Sequence, residues 1–84
     1  MKIAKLSNSN KTFIKEHQLT KAYKKAKKLF ELNSNSFVLN IKKIKPYELN
    51  FYSLRITQTY RAVFRIINNE ADILVFCKNS DCIY

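Results

Sequence analysis

FYSLRITQTYRAVFRIINNEADILVFC, residues 51–77, carries most of the chain's strand-forming signal and decides its fold. From Phe51 to Thr57 residue types alternate, with Tyr52, Leu54 and Ile56 on one side and Ser53, Arg55 and Thr57 on the other. That is the period-two pattern of a half-buried strand. Gln58 and Thr59 make a tight connection, and Tyr60 to Ile67 alternates again. Tyr60, Ala62, Phe64 and Ile66 face one way, and Arg61, Val63, Arg65 and Ile67 the other. Asn68 to Glu70 turn the chain, and Ile73 to Cys77 form a third strand. Three consecutive strands with short connections predict an antiparallel meander.

The faces depend on register, because a slip of one residue reverses every side chain. A three-residue loop of Gln58, Thr59 and Tyr60 pairs Thr57 with Arg61 and Arg55 with Val63, gathering Arg55, Arg61 and Arg65 on one face. A two-residue loop of Gln58 and Thr59 pairs Ile56 with Arg61 and mixes the faces. The first is favoured, since it keeps Leu54 and Ile56 beside Ala62 and Phe64 in the core.

Upstream, Phe37, Val38, Leu39, Ile41 and Ile44 are rich in β-formers and read as a further strand, ended by Pro46, whose ring removes a ladder donor. Before it, Leu19, Ala22, Tyr23, Ala26, Leu29 and Phe30 recur at helical spacing. Thr20 is the expected N-cap, and Asn33 with Asn35 marks the stop. The opposite face of that helix carries Lys21, Lys24, Lys25, Lys27 and Lys28, either as a solvated surface or as a contact for RNA or an acidic partner. Ser7 to Asn10 is a polar break with capping residues, after which Phe13 and Ile14 begin a short helix, and Ile3, Ala4 and Leu6 open the chain as a strand. The expected fold is α+β: an antiparallel sheet, made of a short N-terminal strand and a C-terminal meander of three to four strands, packed on one or two N-terminal helices.

Eighty-four residues form one domain, 1–84, with no repeat or linker. No apolar run approaches the roughly 18 residues of a membrane span, and no apolar stretch follows Lys2 to make a secretory signal. A cytoplasmic location is expected. Glycine is absent, so positive-φ turns fall to asparagine, with candidates at Asn8 and Asn10, Asn33 and Asn35, and Asn68-Asn69. Any glycine-rich phosphate loop is thereby excluded. Cys77 and Cys82 lack the further soft ligands of a metal site, since His17, the one histidine, is far off in sequence. In a reducing compartment both are expected as thiols, Cys77 as a small buried hydrophobe.

Charge narrows the function. Sixteen Lys and Arg against six Asp and Glu give a formal +10, a field whose usual partners are polyanions. All three arginines, Arg55, Arg61 and Arg65, lie in the meander, while nearly every lysine lies elsewhere. An arginine fork binds phosphate oxygens in bidentate fashion and keeps its charge when partly buried. Ser53 and Thr57 would add hydroxyl donors, and Lys42, Lys43 and Lys45 point charges from the adjoining segment. The sequence thus predicts a face that binds a nucleic-acid phosphate.

The segments Leu39-Asn-Ile-Lys-Lys-Ile-Lys45, Tyr52-Ser-Leu-Arg-Ile-Thr57 and Tyr60-Arg-Ala-Val-Phe64 together resemble the RelE/ParE toxin superfamily. The likeness covers residues 37 to 84 well and the helical half in outline. It implies the toxin of a type II toxin–antitoxin pair, and in the RelE-like branch a ribosome-dependent mRNA endonuclease. There the ribose 2′-hydroxyl attacks its own phosphate without metal or other cofactor, leaving a 2′,3′-cyclic phosphate. Carried over by position, Arg61 would stabilise the phosphorane, Arg55 would position the phosphate, and Lys43 (or Lys42) would be the base. Lys42, Lys45, Ser53 and Arg65 would hold the RNA, and Tyr84 would stack on a base or assist the leaving group. A lysine serves as base only where neighbouring cations or desolvation favour its neutral form.

Members often carry a histidine before the terminal tyrosine; here Asn79, Ser80 and Asp81 occupy that region. His17 reads as structural. Two alternatives stand beside the nuclease: a ParE-like toxin that binds DNA gyrase, and a catalytically inactive antitoxin- or nucleic-acid-binding module. The implied partners are mRNA on the ribosome and a cognate antitoxin, acidic over its contacting segment, with no role for a membrane.

Overall fold

The hairpin that ends the meander turns on Asn68 and Asn69, with φ values of 52° and 63°. A two-residue hairpin turn of this hand requires positive φ at both positions, and asparagine tolerates it best in a chain without glycine. Asn40 and Asn50, with φ of 47° and 56°, are the other asparagines in that region among the described residues. The expected sites at Asn8, Asn10, Asn33 and Asn35 do not adopt it: Asn8 and Asn10 are helical, and Asn33 ends a helix in extended geometry.

The computed structural model describes residues 1–78. Its elements are β1 (Lys2–Ile3), α1 (Asn8–Glu16), α2 (Thr20–Leu32), β2 (Lys42–Lys43), β3 (Tyr52–Arg55), β4 (Tyr60–Ile67) and β5 (Glu70–Lys78). They build an α+β fold of two helices on one face of a five-stranded sheet ordered β1-β5-β4-β3-β2. The sheet is mixed rather than wholly antiparallel. β1 runs parallel to β5, pairing Lys2 with Glu70 and Ile3 with Ala71, because the two helices intervene and carry the chain back across the sheet. The Ile3 amide is covered by the Glu31 carboxylate at 3.0 Å. No helix among the described residues is long and apolar enough to cross a membrane.

Helix α2 buries Leu19, Tyr23, Ala26 and Phe30, the stripe its periodicity predicts. Phe30 meets Phe64 edge-on at 5.7 Å, and Tyr23 meets Phe76 at 5.6 Å. Thr20 is the first helical residue rather than the cap; Leu19 holds the cap position without a side-chain bond. Lys21, Lys24, Lys25 and Lys28 stay exposed and Lys27 is half-buried, with Lys24, Lys27, Lys28, Glu31 and Leu32 around a shallow depression.

Helix α1 begins earlier than its apolar residues suggest. The Ser7 hydroxyl accepts the Asn10 amide at 3.2 Å, an N-cap that starts the helix at Asn8. Asn10 is itself buried, and its side-chain amide donates to the carbonyls of Ile73 at 3.2 Å and Leu74 at 3.4 Å. Those carbonyls sit where β5 bulges: Val63 pairs with Val75 but Phe64 pairs with Ile73, leaving Leu74 over. Asn10 therefore ties α1 to the irregular point of the sheet. Asn10→Ala is expected to destabilise the fold by about 1–3 kcal/mol, the range for a buried acceptor left without its donor. A lowered denaturation midpoint at unchanged slope would register it; an unchanged midpoint would refute it.

The strand expected over Phe37 to Ile44 is mostly not one. Phe37–Leu39 is a 3-10 turn closed by left-handed Asn40, and only Lys42–Lys43 joins the ladder. Leu39 plugs the core while Phe37 and Val38 are exposed, so this apolar run has no alternating face to bury.

Candidate phosphate-binding face

Cross-strand partners share a sheet face, so the register defines the site. β3 pairs with β4 as Tyr52–Phe64, Ser53–Val63, Leu54–Ala62 and Arg55–Arg61. Both expected loops were too short. Residues 56–59 form the connection, because the Thr57 hydroxyl accepts the amides of Thr59 at 3.1 Å and Tyr60 at 3.0 Å and so keeps the chain from turning in a shorter loop. The slip from the favoured register is two residues, which preserves parity. Arg55 and Arg61 therefore lie directly opposite each other, on the face turned away from the helices.

Arg61 was expected at a solvent face; it is only 5% exposed. Its Nε donates to the Ser53 hydroxyl at 3.1 Å, and its Nη2 to the carbonyls of Ser53, at 3.3 Å, and Asn40. All three acceptors are neutral. Burial, and then the facing Arg55 guanidinium, hold its pKa below the usual arginine value. Ser53 is thus not a free hydroxyl donor for a ligand, as the sequence suggested, but a buried acceptor that orients Arg61.

Arg55 is exposed and has no carboxylate partner among the described residues, where the one ion pair joins Arg65 to Asp72 at 3.2 Å. Arg65 was expected to hold nucleic acid. It shares the arginine face, but its cross-strand neighbour on β5 is Asp72, which engages its Nε.

The lysines divide. β2 pairs Lys42 with Ser53 and Lys43 with Tyr52. Lys42 therefore joins the arginine face, while Lys43 shares the opposite face with Tyr52, whose ring stacks on Phe64 at 5.6 Å in the core. The expected base, Lys43, is therefore on the helix side, and its alternative, Lys42, is on the arginine face. Lys45 is exposed past the end of β2, on the side leading away from Arg55 because the two strands run antiparallel. Tyr84 and Cys82 lie outside the described residues. Cys77, opposite Arg61, is half-buried rather than buried and is not a free thiol. His17 stacks on Phe13 at 4.0 Å and meets Tyr60 edge-on at 5.6 Å, on the helix side of the sheet.

Asn40 is the participant that sequence reasoning missed. Its contribution is a backbone carbonyl, and the only trace in the sequence is an asparagine where a glycine-free chain needs positive φ. The arrangement can hold a dianion: one guanidinium locked in place, a second beside it, and a flexible amine along the same face. No protein-family model matches the chain, and no curated protein matches it.

Proposed function

We propose that this chain is a small toxin of the RelE/ParE kind, whose arginine face binds the phosphate of a nucleic acid. Within that class we read it as a ribosome-dependent mRNA endonuclease acting in the cytoplasm and neutralised by an antitoxin with an acidic contacting segment. One observation carries the reading: Arg61 is buried against neutral acceptors with Arg55 directly opposite. A buried cation is normally matched by an anion, and here a second cation stands before it. A phosphate between the two would supply the missing counter-charge.

The resemblance supplies the chemistry, and those positions support it. The 2′-oxygen attacks the adjacent phosphorus and the bond to the 5′-oxygen breaks, giving a 2′,3′-cyclic phosphate and a 5′-hydroxyl. Arg61 meets charge that grows on the phosphoryl oxygens, from an orientation already fixed by Ser53 and Asn40. Arg55 positions the phosphate, and Lys42 takes the 2′-hydroxyl proton. The proton for the departing 5′-oxygen falls to Tyr84 on the resemblance alone.

Inducing the chain in cells and mapping mRNA 5′ ends by primer extension tests this. Discrete cuts in translated messages are expected. Arrested growth with intact mRNA and broken chromosomes would refute the nuclease in favour of gyrase inhibition.

A further inference from the structure

Phe37 is 90% exposed, and no other large hydrophobic side chain among the described residues stands so far into solvent. It is not on a loose loop. Leu39, two residues on, is 2% exposed and anchored in the core. The Asn40 amide closes the 3-10 turn on the Phe37 carbonyl at 3.0 Å. The Asn40 carbonyl, in turn, accepts from Arg61. One turn of backbone therefore connects Phe37 to the Arg61 guanidinium on the arginine face.

We propose that Phe37 is a stacking platform for an unpaired base of single-stranded RNA whose phosphate rests on Arg55 and Arg61. The inference rests on the phosphate-binding reading and adds to it a base contact. A single strand presents phosphate and base together, and proteins that hold one combine a cationic track with exposed aromatic rings. Charge favours RNA over a protein partner as the occupant. Arg55 is exposed, with no carboxylate partner among the described residues, on a chain of net charge +10. Stacking is tolerant of base identity, so Phe37 would add affinity without adding sequence preference.

The test compares fluorescence anisotropy of a short labelled single-stranded RNA with competition by inorganic polyphosphate, which has charge but no bases. Phe37→Ala is expected to weaken RNA binding about 5- to 100-fold and to leave polyphosphate binding unchanged, while Phe37→Trp keeps both. So exposed a ring can be removed without unfolding the chain, and a coincident thermal melt would verify that. Phe37→Ala binding RNA within about twofold of wild type, or losing both ligands equally, would overturn the proposal. Arg55→Ala separates the two readings. If it weakens both ligands while Phe37→Ala weakens neither, the stacking inference falls alone. If the unaltered chain binds neither ligand, the phosphate-binding reading falls with it.

Discussion

Arg61→Met is expected to lower mRNA cleavage by about 10²–10³-fold, the loss typical when one preorganised donor to a developing oxyanion is removed. Its effect on folding is expected to be small or favourable. Replacing a buried charge by an apolar side chain of similar volume is often neutral or stabilising, and the facing Arg55 loses a repulsive neighbour. Ser53 and Asn40 each lose a donor, which opposes that gain by about 1–3 kcal/mol where the acceptor stays dry. Arg61→Lys retains charge but not the planar fork that spans hydroxyl and carbonyl, so it should remain nearly as inactive as Met. Arginine stays protonated throughout the accessible range, so the discriminating response is to anions rather than to pH. Pyrophosphate should raise the melting temperature of the unaltered chain and not of Arg61→Met, because a ligand stabilises only the folded form that binds it. Wild-type cleavage by Arg61→Met would remove Arg61 from the mechanism.

What the sequence announced was whatever repeats along the chain. The alternation of Tyr60 to Ile67 coincides with β4, and the stripe from Leu19 to Phe30 coincides with the buried side of α2. The paired asparagines at 68 and 69 turn the last hairpin as an absence of glycine requires. What stayed hidden depends on contacts without period. The Thr57 hydroxyl lengthens the β3–β4 loop and so resets the register by two residues. An even slip leaves the three arginines on one face in spite of the wrong pairing. Burial of Arg61 was illegible for a different reason. Alternation tells which way a side chain points, not whether a neighbouring turn folds over it, and that turn is fixed by Leu39 entering the core. The parallel placement of β1 rests on two residues, too short for any pattern.

The lysine pair is where one residue of register changes the chemistry. Lys42 lies beside Ser53 on the arginine face, and Lys43 lies beside Tyr52 on the helix face. Lys42→Ala is therefore expected to reduce cleavage by about 10²–10⁴-fold, the usual worth of a positioned general base. Lys43→Ala should change it by no more than a few-fold through loss of general attraction to RNA. Both lysines are exposed, so neither substitution should disturb the fold, and the contrast between two neighbours controls for net charge. Raising ionic strength should depress cleavage by the unaltered chain and by Lys43→Ala alike, since screening acts on the whole cationic surface. Single-turnover cleavage on programmed ribosomes with the chain at saturation isolates the chemical step from that attraction. Equal losses in the two variants would mean that both act only as charges. A large loss confined to Lys43→Ala would require β2 to slip by one residue when RNA binds, and would refute the site as drawn from this register.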